Sequence, residues 1–566
     1  MGRSTGFAFS FLLAFALLLA GLSPRPARAC GGLFCNSSMP VNQAAERIIF
    51  SENGDGTVTA MIEIQYQGPA EQFSWVLPVP GIPDVDVSSL AAFDRLDGAT
   101  NPIYQLTTNF ACDSGLQGSV ARGSSGPSSA GDFGADEGVT VLASGSVGPF
   151  DFKVISVDDA LADPADIALM WLEDNGYDVT ALGPEVLRPY LEERLNLLAF
   201  KLSKENDAGS IRPVVISYEA EQPFIPIRPT AVAANDDMGV KVFVVSGERA
   251  IPQNYKALEL NEALIDWFNP NDTYNDVVSA AADEAAGQGF VTEFAGPSAD
   301  FEQLIVAEWE RSEWMRISSQ SYARGVDLMV DVRDTFGAWD GFEDALKKAV
   351  MLPAGLSLQS LLDCPNCYAD DPELVLEPAT LLQSVFELVI QPMFRTEELL
   401  QSRPYLTRLY TTMSADEMTL DPAFDFNPDL DDVSNMHTAE RTIECDDSWS
   451  VELPQGDIVY GSEPNVWPMS LATSEQPAAR RIMQLGTSGM GEVLKDNSER
   501  IAKLIVAGDN GSGGVVRLAD GGLAPAEGGD DGCGCSVPGG GVRSSSPAAL
   551  LGASLLMLVL VRRRMR

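Results

Sequence analysis

An acidic loop places oxygen-bearing side chains at every second position. Its four candidate metal ligands are Asp425, Asn427, Asp429 and Asp431. Calcium takes roughly six to eight oxygen ligands, and this spacing can turn several of them inward from one loop. An EF-hand would place Gly and Glu where Leu430 and Met436 stand, and no flanking helix pair is indicated. Calcium binding is one interpretation of the loop, and a solvated acidic turn, which the mismatches favour, is the other.

The chain contains one histidine, His437. This count excludes zinc sites built from several histidines, and it allows at most one catalytic pair of a histidine with a serine or cysteine nucleophile. No nucleophile elbow stands near His437 in the sequence to supply a serine partner. We therefore expect a surface or interface histidine rather than a catalytic base.

Eight cysteines in a chain with export signals indicate disulfides. The six candidates in the folded part are Cys30, Cys35, Cys112, Cys364, Cys367 and Cys445. The two close pairs, Cys30 with Cys35 and Cys364 with Cys367, could each close a local loop, leaving Cys112 and Cys445 for a long-range bridge. Other connectivities remain open. Cys364 and Cys367 could also form a redox motif or half a zinc site, but the flanking elements and a second Cys-x-x-Cys in the folded part are missing.

Acidic residues are so numerous that some carboxylate pair is inevitable. Because the chain has 81 Asp and Glu, the presence of two carboxylates at a glycosidase-like spacing would not indicate glycoside hydrolysis. A carboxylate-dependent hydrolase remains an alternative function, and it would place two acids in a cleft close to Trp75 or Trp171. Core packing is the default interpretation of the scattered tryptophans.

Charge is divided unevenly along the chain. Of 37 Lys and Arg, three precede Cys30 and five follow Cys535, which leaves 29 against 81 acidic residues in between, a net charge of −52. Such a field repels phosphate backbones, so nucleic-acid binding is disfavoured. The hydrophobic content of 45% argues against general disorder.

The N-terminal segment has the features of a secretory signal peptide. Arg3 precedes an apolar stretch over residues 7–22, and an A-x-A site at residues 27–29 directly precedes Cys30. Residues 1–29 would then be removed by signal peptidase. A lipidated Cys30 and a retained membrane helix are weaker alternatives, because Ala27 is small and the cleavage site is well formed.

The C-terminal segment is typical of an anchoring or sorting signal. Cys533 and Cys535 precede a Gly/Ser-rich spacer, a 15-residue apolar stretch over residues 547–561 and an arginine cluster. A membrane-spanning helix needs roughly 20 apolar residues, so a short or processed membrane segment is expected. The arginines predict a cytoplasmic C-terminus.

The first part of the sequence predicts an α+β fold. A hairpin is predicted around the Asn-Gly-Asp-Gly turn at residues 53–56, followed by a strand at 72–77 that ends in a proline-rich turn. Residues 113–148 are Gly/Ser-rich and predict a flexible insertion. Strands and two short helices, at about 158–175 and 184–193, complete a β-rich domain over residues 30–250.

The second part, residues 251–507, is predicted to be mainly helical with a weak return of strands after residue 442. Residues 508–546 form a Gly-rich linker with the Cys-Gly-Cys, and residues 547–566 form the short apolar anchor with its arginine stop.

Several stretches resemble one bacterial envelope family, catalogued as domain of unknown function 2330. They are residues 29–35 (ACGGLFC), 73–80 (FSWVLPVP), 171–177 (WLEDNGY), 283–296 (DEAAGQGFVTEFAG) and 405–414 (YLTRLYTTMS) with 418–426. The resemblance extends over most of residues 30–447. It implies an envelope location and brings no established activity or catalytic residue.

The tail separately resembles the myxobacterial C-terminal sorting signal known as MYXO-CTERM. This resemblance implies removal of the apolar segment by a membrane-embedded sorting protease and display at the cell surface or outer membrane. Cys533 or Cys535 would be the retained, lipid-modified cysteine. A plain tail anchor facing the periplasm is the alternative.

These features together predict an exported, acidic surface or envelope protein with a non-enzymatic binding or structural role and an unknown ligand. The alternatives are the hydrolase and a calcium-dependent adhesin. No cofactor other than calcium is suggested.

Overall fold

The computed structural model describes residues 42–67, 74–111, 139–158, 162–177, 183–202, 211–507 and 515–517. The strands are β1 (Asn42–Glu52), β2 (Thr57–Gln67), β3 (Ser74–Val79), β4 (Asp84–Val87), β5 (Ile103–Phe110), β6 (Val139–Val147), β7 (Phe150–Val157), β8 (Asn196–Leu202), β9 (Val214–Glu219), β10 (Ala234–Ser246), β11 (Ala250–Pro252), β12 (Lys256–Leu260), β13 (Gly289–Pro297), β14 (Val350–Met351), β15 (Val375–Leu376), β16 (Tyr405–Met413), β17 (Phe424–Phe426), β18 (Met436–Ile443), β19 (Trp449–Glu452), β20 (Asp457–Gly461), β21 (Ala479–Gln484), β22 (Glu492–Asp496) and β23 (Val515–Arg517).

Short helices lie between these strands. They are α1 (Leu90–Thr100), α2 (Pro164–Asp174), α3 (Gly183–Glu192), α4 (Tyr274–Asp283), α5 (Glu302–Ile305), α6 (Glu308–Ser319), α7 (Gly325–Phe336), α8 (Phe342–Ala349), α9 (Leu358–Asp363), α10 (Pro365–Tyr368), α11 (Pro378–Val385), α12 (Gln391–Gln401) and α13 (Ser498–Ala507), with a π-helical turn at Phe386–Ile390.

A mixed ten-stranded sheet forms the centre of the fold. Its strand order is β22-β21-β12-β13-β16-β10-β1-β2-β9-β4. The predicted hairpin is confirmed as β1 and β2, which pair antiparallel. Gly54 and Gly56 have φ angles of +75° and +88° in its turn, a backbone conformation that side chains disfavour.

Alternate residues of the central strands face two different apolar cores. Ile48 and Phe50 of β1 pack on one side, toward a four-stranded antiparallel sheet of order β3-β8-β7-β6 and helices α2 and α3. Ile49, between them, packs on the other side. Because the side-chain period of a strand is two, a strand buried on both faces loses its apolar–polar alternation.

The second face of the large sheet carries two groups of elements. Helices α1, α7, α8, α11 and α12 cover the part formed by β1, β2 and β10. Helix α4 and a five-stranded sheet of order β23-β20-β19-β18-β5 pack near β12, β13 and β16, around Trp449 and Trp267. The boundary between these groups is where polar side chains enter the interior.

The structure is α+β with a β-rich N-terminal part, as expected, but the second half differs from the prediction. The segment 251–507 contributes β12, β13, β16, β21 and β22 to the large sheet, so this sheet continues across residue 250. The helices near residue 300, α5 and α6, are short and separate. Several strands were missed because they are buried on both faces and show no alternation.

Two local predictions also differ. Strand β6 begins at Val139 inside the segment predicted as a flexible insertion, where it pairs with β7; residues 112–138 lie outside the described part. Pro78 does not end its strand but lies within β3 opposite Leu197. Strand β3 is at the edge of its sheet, where a proline costs no ladder hydrogen bond.

No helix in the described ranges is long and apolar enough to cross a membrane. The predicted signal peptide and the C-terminal segment from residue 518 onward lie outside the described residues.

Candidate binding pocket

The histidine lies on a parallel strand pair that joins distant parts of the chain. Strands β5 and β18 are in register with Tyr104 opposite His437. The two rings stack, with centroids 4.6 Å apart and an interplanar angle of 17°. The His437 side chain is 25% exposed, so one edge of the imidazole remains within reach of a small molecule.

A buried glutamate orients this imidazole. Glu262 begins a one-turn 3-10 helix (Glu262–Leu264) directly after β12, and Asn261 caps this turn by accepting a hydrogen bond from the backbone N–H of Ala263. Nδ1 of His437 lies 2.8 Å from Oε1 of Glu262. This contact favours the tautomer that carries its proton on Nδ1. The other carboxylate oxygen, Oε2, is buried and has no hydrogen-bond partner among the described residues.

Glu262 and His437 line a cavity of about 290 Å³. Its charged residues are Arg249, Glu259, Glu262, Glu293 and His437, and much of the remaining wall is aliphatic or methionine. An apolar cavity with a few converging polar groups is the usual form of a small-molecule site. This cavity is therefore the candidate functional site.

Two phenols separate the cavity from a second one of about 240 Å³. Tyr104, Tyr274 and Glu293 line both cavities, and the Tyr274 hydroxyl donates to Oε1 of Glu293 at 2.6 Å. Burial, followed by the charges of Glu262 and Glu293, raises the pKa of Tyr104 well above its usual value. Burial and Glu293 do the same for the pKa of Tyr274. Both phenols therefore remain protonated at neutral pH.

A buried network of charges continues from Glu293 across the large sheet. Glu293 pairs with Arg408, whose Nη1 lies 2.9 Å from Oδ1 of Asp97 on α1. Asp97 also binds Lys241 at 2.7 Å and Arg47 at 3.4 Å. Burial alone would raise the pKa of Asp97, but Lys241, Arg408 and Arg47 together lower it. Asp97 thus stays ionised and fixes three strands, β1, β10 and β16, to helix α1.

The four predicted calcium ligands do not converge on a common point. Asn427 is fully buried, and its amide donates to the carbonyls of Gly486 and Gly489. Asp429 accepts from the backbone N–H of Gly489, Asp425 accepts from Gln222, and the carbonyl of Asp431 accepts from Arg249. Among the described residues, no group of three or more His, Cys, Asp or Glu side chains is arranged to hold a metal ion. These hydrogen bonds tie the acidic loop to the loop at residues 486–489, and calcium binding stays a prediction.

The described cysteines are all in disulfides. Cys364 and Cys367 bond to each other, as the local pairing predicted. Cys445 is also disulfide-bonded, and its partner lies outside the described residues. Cys30, Cys35, Cys112, Cys533 and Cys535 lie outside them as well.

The tryptophans named for a hydrolase cleft lie in the apolar core instead. Trp75 and Trp171 are each 4% exposed; Trp75 stacks on Phe200 and Trp171 on Tyr177. Both rings are used in packing, which is the default interpretation of the tryptophans given above.

The sequence-based reasoning missed Glu262, Tyr104, Glu293, Arg408 and Asp97. A signal for two of them was present, since Glu293 and Arg408 stand within the stretches that resemble the envelope family. A charge in the middle of a strand with no exposed face must be paired, so both could have been recognised as partners once those strands were identified.

The fold and the pocket define an α+β protein with a small mixed apolar and charged cavity between two sheets. A family model described as an uncharacterized protein conserved in bacteria (DUF2330) matches residues 24–307. The chain belongs to this DUF2330 family, as its sequence motifs indicated. No curated protein and no solved structure matches the chain.

Proposed function

We propose that the protein is exported, is displayed at the cell surface or in the envelope, and binds a small ligand in the Glu262–His437 pocket without transforming it. Support for export comes from the disulfides of Cys364, Cys367 and Cys445, since such bonds persist in oxidising compartments. The acidic composition and the signal-like segments at residues 1–29 and 533–566 agree with this route.

The main support for the binding role is the cavity itself. Charged side chains line it together with aliphatic ones, which suits recognition of a mixed apolar and polar molecule. No serine or cysteine is among the residues that line it, so His437 has no such nucleophile to activate there.

In the proposed route, signal peptidase releases residues 1–29 and a membrane-embedded protease removes the apolar C-terminal segment. The test is intact mass measurement of the protein from cell-surface fractions, with thiols alkylated before and after reduction. We expect a chain that begins at Cys30, ends near Cys533 or Cys535, and exposes new thiols only after reduction. An unprocessed chain with free thiols in the cytosolic fraction would contradict the proposal.

A further inference from the structure

We propose that the pocket binds a small primary amine, with the ammonium group on Oε2 of Glu262 and the alkyl part against the aliphatic wall. This inference rests on the proposed binding role and specifies the class of ligand.

The first argument is the unsatisfied oxygen. Glu262 is 6% exposed, and its Oε2 is buried without a donor, whereas Oε1 has the His437 imidazole at 2.8 Å. A buried acceptor left without a partner costs free energy, and more when it is charged. A ligand that donates a hydrogen bond to Oε2 would recover this energy, so the ligand must carry an N–H or O–H group.

The second argument is the charge of the neighbours. Glu259 is paired with Arg480 and Arg481, and Glu293 is paired with Arg408. Glu262 differs from both, because its partner is a histidine that can donate from Nδ1 while neutral. An ammonium ion would compensate the Glu262 charge, whereas an anion would meet three carboxylates.

Arg249 is the one cationic side chain among the residues lining the cavity that could oppose an ammonium ion. Its guanidinium donates to the carbonyl of Asp431, and burial lowers its pKa. Asp431 and Asp432 lie close enough to Arg249 to raise that pKa in part. Nη1 of Arg249 is therefore engaged with the acidic loop, whereas its Nε is buried without a hydrogen-bond partner among the described residues. Arg249 makes no ion pair with Glu262.

The third argument is the rest of the wall. Leu258, Leu260, Val291, Val433 and Leu485 line the cavity together with Met483 and Met490. These side chains offer no hydrogen bonds, so they favour an alkyl group over a sugar or a nucleotide. Methionine adapts its shape to the ligand, and Met490 is 65% exposed. The net charge of −44 also draws cations toward the protein.

The single histidine provides a direct measurement. In protein labelled with ¹³C and ¹⁵N at histidine, the imidazole signals report on His437, because the chain has one histidine. The full mature chain is titrated at fixed pH with n-butylamine, 1-butanol and butyrate. We expect a saturable shift with butylamine, a weaker response with butanol and none with butyrate.

Glu262→Gln should weaken the butylamine response about tenfold or more, because the amide removes the charge and presents a donor to the ammonium group. Glu440→Gln, at an exposed carboxylate on β18 that does not line the cavity, is the matched control and should bind as the wild type does. Equal binding of butylamine and butanol by the wild type would overturn the amine inference even if Glu262→Gln failed to fold. So would an unchanged affinity in folded Glu262→Gln.

The outcomes separate this inference from the binding role. A saturable shift with butanol or butyrate but not with butylamine would rule out the amine inference and would still support a ligand-binding role for the pocket. No shift with any of the three probes would remove both.

Discussion

Glu293 and Arg408 form an ion pair in which both side chains are 1% exposed, although Glu293 alone lies in the segment that the family model matches. Arg408 also donates to Thr100, to Asn101 and to the carbonyl of Asp97. The pair therefore connects strands β13 and β16 to the end of helix α1. It also forms part of the wall between the two cavities.

Replacing Arg408 should be strongly destabilising. Arg408→Met leaves Glu293 buried without its cation, and breaking a buried pair in this way costs about 3–5 kcal/mol. The free energy of unfolding in urea is the measurement. Arg324→Met removes an exposed pair with Asp327 and should change the free energy of unfolding little. The double variant Arg408→Met/Glu293→Leu should recover part of the loss, and similar losses for Arg408→Met and Arg324→Met would contradict the assigned role.

Glu46 should make stability depend on pH. Burial raises the pKa of Glu46 to about 7, which the hydrogen bond from Gln43 only partly offsets. The folded state thus holds a proton that the unfolded state releases above the ordinary glutamate pKa of 4.5, so this contribution to stability is complete below that pH and is lost as pH rises through 7.

Glu46→Gln stays neutral at every pH. It should therefore match the wild type near pH 4.5 and exceed it at pH 8 by up to about 3 kcal/mol. Urea unfolding across this pH range checks the prediction, with the exposed Glu173→Gln as the control. Some slope will remain in the variant, because burial also raises the pKa of Asp340 to about 7. Parallel curves for wild type and Glu46→Gln would show that Glu46 does not titrate as expected.

The partner of Cys445 should be Cys112. The backbone N–H of Ala111 donates to the carbonyl of Ile443 at 2.9 Å. The residue before Cys112 therefore lies beside the residue two positions before Cys445. Peptide mapping without reduction should recover a Cys112–Cys445 peptide. Removing this bridge with Cys112→Ser/Cys445→Ser should cost about 2–4 kcal/mol. The local bridge should matter less in Cys364→Ser/Cys367→Ser, because it closes a much shorter loop. Recovery of Cys445 linked to any other cysteine would refute the pairing.

Asn427 should be more important as a hydrogen-bond donor than as a metal ligand. Asn427→Asp would set a carboxylate against the carbonyls of Gly486 and Gly489 and should cost about 3 kcal/mol. Asp431→Asn, on the exposed part of the same loop, should be close to neutral. We expect the same melting temperature in excess calcium and in chelator. A calcium-induced rise that Asp431→Asn abolishes would instead support the calcium loop.

Local signals were sufficient where an element has one buried face or a clear boundary. Helix α2 (Pro164–Asp174) lies within the helix predicted at about 158–175 and ends next to its predicted end. The hairpin was predicted for the same reason, since its turn residues determine its geometry.

The central strand β16 and the site could not be predicted in this way. Strand β16 is buried along almost its whole length, so it lacks the alternation that marks a strand. Glu262 and His437 are 175 positions apart, and Tyr104 meets His437 only through the parallel pairing of β5 with β18. Local sequence carries no information about which distant segments will pair.

The position of β16 also sets an order of events in biogenesis. It lies between β10 and β13, both of which are synthesised before residue 298, whereas β16 is complete only at residue 413. Until then β10 and β13 each present an open edge, and unpaired edges invite association with other chains. Late, long-range pairing slows folding, and a chain that cannot close its sheet early stays unfolded for longer. On the proposed export route, the delay that makes the chain vulnerable to aggregation would also keep it competent for transport.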